Sequence, residues 1–206
     1  MFGGVIQERE VVGRTFTDED WYADDLGATR FVDCTFDQVD LSEVRASAAA
    51  FESCTFVGCR FNSAQLTATA FVACELRRCN FFDATLDGCK LAGTLLSECT
   101  LRPMTVRGGS WQGVTIRATR LTKLDLTGVD LRDADLSMSD LTDSVLRECR
   151  LDGASLRETV LGGADLRGAS LDRVDLAAAR LRGTRLDLAG AVLLAELHGA
   201  EVDVSQ

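Results

Sequence analysis

One register dominates this chain of 206 residues: from Phe16 to Leu186 every fifth residue is apolar, at 35 consecutive positions with no insertion or deletion. The run opens with Phe16, Trp21, Leu26, Phe31 and Phe36 and closes with leucine at every step from Leu121 to Leu186. Apolar residues make up 46% of the chain, so chance does not produce such a run. The residue two places earlier forms a second register of mostly small side chains, among them Cys34, Ala49, Cys54, Ala64, Cys79, Ser139 and Ala164. The remaining three positions of each five carry nearly all the charge.

A period of five fits neither the 3.6 of a helix nor the 2 of a strand. A helix smears this pattern around its surface, and a flat strand sends successive large residues to opposite faces. A backbone that turns a corner every five residues points all of them inward. Four such sides close a square coil of 20 residues, and glycines just after the large residue, as at Gly128, Gly153, Gly163, Gly168 and Gly183, suit the corners. Stacked coils pair as parallel strands or turns about 4.8 Å apart, so roughly nine coils make a rod of roughly 40 Å. The expected fold is all-β, a quadrilateral parallel β-helix followed by a short C-terminal α-helix.

The ends and the middle depart from the pattern. Arg14, Glu19 and Asp24 occupy the small register, so residues 1–28 read as an N-terminal polar cap and first coil. Residues 29–188 read as the repeat body and 189–206 as a C-terminal dimerisation helix and tail. The run Ala191 to Leu197 is a short apolar helix that covers the last coil and leaves apolar surface over, so Val192, Leu193, Leu194 and Leu197 are the expected contacts of a two-fold homodimer. Between Arg102 and Gly113, Pro103 sits at a corner, Met104 replaces a small residue and Gly109 nearly empties the inner register beside Trp111, which predicts a local bend or a re-packed layer.

Segments such as Ala134-Asp135-Leu136-Ser137-Met138 and Ala164-Asp165-Leu166-Arg167-Gly168 resemble the pentapeptide repeat proteins. Gly13-Arg14-Thr15-Phe16-Thr17-Asp18-Glu19-Asp20, Cys99-Thr100-Leu101-Arg102-Pro103-Met104-Thr105 and Val192-Leu193-Leu194-Ala195-Glu196-Leu197-His198-Gly199 resemble the mycobacterial fluoroquinolone-resistance branch of that family. The chain is also similar to the Qnr group, but those proteins interrupt their repeats with loops, and this run has none. The resemblance implies a right-handed quadrilateral β-helix and a homodimer joined through C-terminal helices. It also implies binding to DNA gyrase, with the rod standing in for a DNA segment and modulating quinolone action.

The charge is compatible with such a partner and not with nucleic acid itself. Net charge is −10, and phosphate binding needs a cationic surface. An acidic rod suits a basic protein surface that normally holds DNA. The charge is banded along the chain: net −8 over 1–44, +5 over 45–123, −5 over 124–144 and −2 over 145–206. Sorted by the four sides, it shows no large excess. Duplex DNA of the same length carries roughly 24 charges, so mimicry has to rest on local patches and shape. The band at 124–144 supplies the candidate partner-binding residues Asp125, Asp130, Asp133, Asp135, Asp140 and Asp143. The plainer role for each is to satisfy backbone N–H groups at the corners and keep the rod soluble.

Candidates for chemistry are few. All eight cysteines fall in the small register, where a buried thiol serves as a small hydrophobe, so no metal and no cofactor is expected. The single histidine, His198, reads as a helix C-terminus. An enzyme needs a concave pocket with perturbed groups, and a filled square coil offers none. Two readings of function follow: a DNA-mimicking gyrase-binding protein that protects against fluoroquinolones or similar poisons, or a general protein-binding scaffold with no gyrase role. Neither has a small-molecule substrate. Residues 1–10 lack a basic and apolar leader and no apolar run approaches the roughly 20 residues of a membrane span, so a cytoplasmic address with no membrane partner is expected.

Overall fold

In a computed structural model describing residues 9–203, residues of the ladder pair with those 20 positions on, save for a one-residue register shift at Gly27 and Ala46. The first eight residues of the expected cap and the last three of the tail lie outside the described residues. The first side stacks Glu10–Val12, Arg30–Val32, Ala50–Glu52 and Ala70–Val72. The second stacks Thr15–Thr17, Thr35–Asp37, Thr55–Val57, Glu75–Arg77 and Leu95–Ser97. The fourth stacks Asp25–Gly27, Arg45–Ser47, Gln65–Thr67, Thr85–Asp87 and Thr105–Arg107. The third side is held by single parallel bridges through Asp20, Asp40, Arg60, Asn80 and Thr100. Beyond Arg107 every side continues as such bridges, as far as Asp165 to Arg185. This is the quadrilateral parallel β-helix that the period predicts.

The corner is a conformational repeat more than a glycine repeat. At nearly every corner the residue two places after the large one takes a left-handed φ, as at Gly128 (69°), but also at Ala48 (61°), Lys123 (61°), Asp133 (56°) and Met138 (61°). Among the described residues 21 non-glycine residues hold positive φ. An L-residue pays about 1 kcal/mol for that conformation. The corner N–H groups offset it by donating to the next coil, for example Ala48 to Thr67 at 2.9 Å and Met138 to Arg157 at 2.9 Å.

Inside, the large register forms columns. Phe31, Phe51 and Phe71 stack with ring centroids 4.9 Å apart at each step, and Phe61 stacks on Phe81 at 4.6 Å. This spacing matches the strand separation of about 4.8 Å, so one ladder sets both the backbone and the ring contacts. The small register does more than fill space. Its thiols and hydroxyls donate to the carbonyl of a large residue in the coil below: Cys59 to Phe36 (3.3 Å), Thr94 to Phe71 (2.9 Å), Ser144 to Leu121 (2.7 Å) and Thr159 to Leu136 (2.9 Å). Burial pushes the Cys89 thiol up to about 11 and the Cys149 thiol up to about 12, so both remain protonated thiols at neutral pH.

The first coil is a hydrogen-bonded coil like its neighbours, and its polar character is confined to the small register. Glu19 accepts from the Trp21 indole at 2.9 Å, and the Arg14 guanidinium lies 5.2 Å from the centre of the Phe16 ring. At the far end helix α1 spans Leu188–Leu197 and packs against a 3₁₀ turn at Leu176–Ala178. Asp187 caps it, accepting from Gly190 N–H at 3.0 Å while its other oxygen accepts from Gly168 N–H at 2.7 Å in the rod. His198 is its C-cap, with Nδ1 2.8 Å from the Leu194 carbonyl oxygen. Among the described residues no helix is long and apolar enough to cross a membrane.

The irregular middle is an opening of the ladder along two adjacent sides. The first side runs on through Lys90, Ser110 and Asp130, and the second through Leu95, Thr115 and Asp135. Among the described residues no bridge joins Thr100 to Arg120 on the third side or Thr105 to Asp125 on the fourth. The cause lies in one column of the small register. Val44, Ala64, Ala84, Ser144 and Ala164 occupy it elsewhere, but Met104 and Leu124 follow one another there and wedge the two coils apart. Pro103, joined to Arg102 by a cis peptide, brings no N–H to bridge the gap. Opposite the opening, coils pack tightly: a Cβ on Gly109 (φ 106°) would stand 2.3 Å from the Cys89 carbonyl oxygen. Gly109→Ala therefore loses on the order of 2 kcal/mol more than Gly128→Ala, whose Cβ meets open space and which loses about 1 kcal/mol. Denaturant unfolding of the two variants measures the difference.

Candidate partner-binding surfaces

A carboxylate just before an inward leucine sits where the backbone begins to turn, and its oxygen reaches the N–H two residues on. The structure uses this at four of the six aspartates singled out by their sequence. Asp125 accepts from Thr127 N–H at 2.9 Å, Asp130 from Arg132 at 3.2 Å, Asp135 from Ser137 at 3.0 Å and Asp140 from Thr142 at 3.0 Å. The corner-capping role is thus real for these residues. Their successive spacing of five places them on the fourth, first, second and third sides in turn, so they form a collar around the tube and not one patch.

The collar is unevenly neutralised. The Asp-Leu-Arg order of residues 130–132 puts both charges on either side of one inward leucine, and Arg132 grips Asp130 through Nε (2.8 Å) and a terminal nitrogen (2.7 Å). Arg150 approaches the same carboxylate at 3.6 Å, and Arg117 approaches Asp135 at 3.4 Å. Asp125 and Asp140 accept instead from the hydroxyls of Thr127 and Thr142, both at 2.6 Å, and have no arginine partner among the described residues. Asp133 and Asp143 stand exposed at left-handed corners of the first and third sides. The arginine partners were not part of the sequence reading, although the Asp-Leu-Arg pattern signals them. It recurs at Asp165, gripped by Arg167 at 2.8 and 2.6 Å.

The second surface is the C-terminal end. α1 is apolar all round, so burying one face leaves another uncovered. Leu193 and Leu194 pack against the core of their own rod, and Val192 is half-buried. Leu197 is 41% exposed and Leu188, which sequence reasoning left outside the helix, is 73% exposed. Behind them Leu181 and Leu186 are only half-covered. The uncovered apolar surface therefore runs from Leu188 to Leu197, and two of the four expected contacts are engaged within their own chain.

Family comparison agrees with this geometry. The pentapeptide repeat region model matches residues 29–102, and the model for pentapeptide repeats in eight copies matches 112–147 and 149–193. The chain belongs to the pentapeptide repeat family. No curated protein sequence matches it. Among solved structures, a trypsin-treated form of QnrB1, a plasmid-mediated fluoroquinolone resistance protein, aligns with a TM-score of 0.55 at 20% identity over 94% of this chain and 97% of that one. HetL, a pentapeptide repeat protein involved in heterocyst differentiation regulation in the cyanobacterium Nostoc, aligns at a TM-score of 0.39 and 22% identity over 85% and 86%. At these identities the likeness is one of fold. In this pentapeptide repeat protein most outward positions carry charge or hydroxyls over a tube packed with the large register.

The ion pairs of this pentapeptide repeat protein set its acid response. The Arg132 guanidinium holds Asp130 below its ordinary value, and Arg167 holds Asp165 well below the usual carboxylate range. A depressed folded-state value adds stability that is present above the unfolded value, about 3.9, and is lost as pH falls toward the folded one. The thermal midpoint should therefore drop as pH is lowered below about 4. Asp165→Asn should lower the midpoint at neutral pH and flatten that acid slope; an unchanged slope would show that the pair contributes nothing.

Proposed function

We propose that this protein binds DNA gyrase in the cytoplasm, taking the place of a DNA segment, and modulates or protects the enzyme against fluoroquinolones or similar poisons. The observation that carries the reading is a narrow acidic rod in which Asp125, Asp133, Asp140 and Asp143, spaced around one coil, have no ion-pair partner among the described residues. A basic surface shaped to hold a duplex receives such a rod by charge and by width. The resemblance of the repeat sequence to the fluoroquinolone-resistance branch supports it, as does a net charge of −10. Because the charge is sparser than that of DNA, contact depends on which carboxylates remain unpaired. The rod acts by occupying a site, with no catalytic step.

The test uses corners that tolerate a cation. Lys123, Arg78 and Arg173 already occupy the left-handed position that Asp133 and Asp143 hold. Asp133→Lys combined with Asp143→Lys should therefore preserve the fold and weaken gyrase binding by about tenfold or more, with matching loss of effect in a supercoiling assay. Full activity of that double variant would remove the collar from the account, and absence of gyrase from pull-downs with the wild-type chain would favour a general scaffold.

The same reading makes the protein a two-fold dimer through α1. Leu188, Val192 and Leu197 supply the contact, and Leu193 and Leu194 hold the helix on its own rod. Leu188→Glu or Leu197→Glu should give a stable monomer by light scattering. Leu193→Glu should also lower the melting temperature, because it disturbs packing within the chain.

A further inference from the structure

The wedge that opens the third side creates a cleft. Arg102, Pro103, Met104, Thr122, Lys123 and Leu124 line a space of about 320 Å³, within the range of small-molecule sites. Pro103, Met104 and Leu124 form an apolar floor. Lys123 is exposed, and Arg102 is half-buried with its guanidinium donating to the Thr122 hydroxyl. Between Glu98 and Asp125 the chain carries five cations, Arg102, Arg107, Arg117, Arg120 and Lys123, and no acid, in a protein whose net charge is −10. Asp83 and Asp143, one coil away from Pro103 and Lys123 on either side, and Asp140, the ladder neighbour of Arg120, are carboxylates that temper this field.

A second feature lies directly behind the floor. Met104 also lines a void of about 10 Å³ inside the tube, together with Trp111. Trp111 is 1% exposed, and its indole N–H finds no acceptor among the protein atoms. A buried donor without a partner costs about 1–3 kcal/mol. Met104 thus lies between the cation-rimmed cleft and an apolar void that the Trp111 side chain also lines.

From this juxtaposition we infer that the cleft at Met104 and Leu124 binds a small amphiphilic anion, a flat or branched apolar body bearing one carboxylate or sulfonate. The apolar body lies on Pro103, Met104 and Leu124. The anionic group meets Lys123 and Arg102 at the mouth, where Thr122 offers a hydroxyl. This site is separate from the acidic collar and from α1, and does not depend on gyrase binding.

The chain has two tryptophans, so Trp21→Phe leaves Trp111 as the only one. The full-length Trp21→Phe protein is titrated with 8-anilinonaphthalene-1-sulfonate under tryptophan excitation. The expected result is saturable dye emission sensitised by Trp111, with one site per chain. Lys123→Ser is safe for the fold, since Ser53 and Ser63 hold the same corner conformation; it should weaken binding several-fold, and with Arg102→Ser by about tenfold or more. Three outcomes overturn the inference. These are undiminished binding by the charge variants, equal binding of the neutral dye N-phenyl-1-naphthylamine, or loss of the signal in Leu188→Glu, which would move the dye to the C-terminal end.

Discussion

The hydrogen-bonded closure of the coil at 20 residues is the constraint from which the rest follows. Away from the opening at Pro103, most corner N–H groups find an acceptor in the next coil, and most residues ahead of a large one donate to the coil before, as Asp40 does to Glu19 at 2.9 Å. That ladder makes left-handed corners tolerable at residues such as Lys123 and Met138. It holds the phenylalanine columns at stacking distance. It also brings the thiols and hydroxyls of the small register under the carbonyls they serve. A change at one position is therefore felt 20 residues away before it is felt next door.

The same closure governs the surface. Residues five apart face different directions and residues 20 apart are neighbours, so a charge band in the sequence becomes a collar on the rod. What a partner meets then depends on local pairing. Asp130 is gripped by Arg132, whereas Asp133 accepts only a long hydrogen bond from Gln112 (3.4 Å) and Asp143 stands exposed. The +5 stretch of the middle acquires meaning in the same way: it frames the one place where two sides of the ladder part. The acidic collar and the cationic cleft are adjacent in the chain and opposite in chemistry.

Much of this was legible beforehand, for a physical reason. A period of five admits one kind of backbone, so the inward columns, the square coil and the terminal helix could be read from Phe16 to Leu197 without coordinates. The glycines at 128, 153, 163, 168 and 183 pointed to the corners but understated them, because the ladder imposes the same conformation on alanine, aspartate and lysine. The cysteines were recognised as buried fillers, and their hydrogen bonds to carbonyls came from the stacking of coils. At the C-terminus the apolar helix was plain, but Leu188 was missed and Leu193 was placed on the outside, since an apolar helix carries no stripe to say which face turns inward.

Covalent order alone specified the period, the identity of every inward side chain and the total charge of each band, because these depend on residue type and spacing within five positions. The folded chain alone settled which carboxylates are paired, where α1 lies and where the ladder parts. Met104 and Leu124 stand in the linear chain as large residues in the small register; the two become a wedge only when closure stacks one on the other, 20 residues apart.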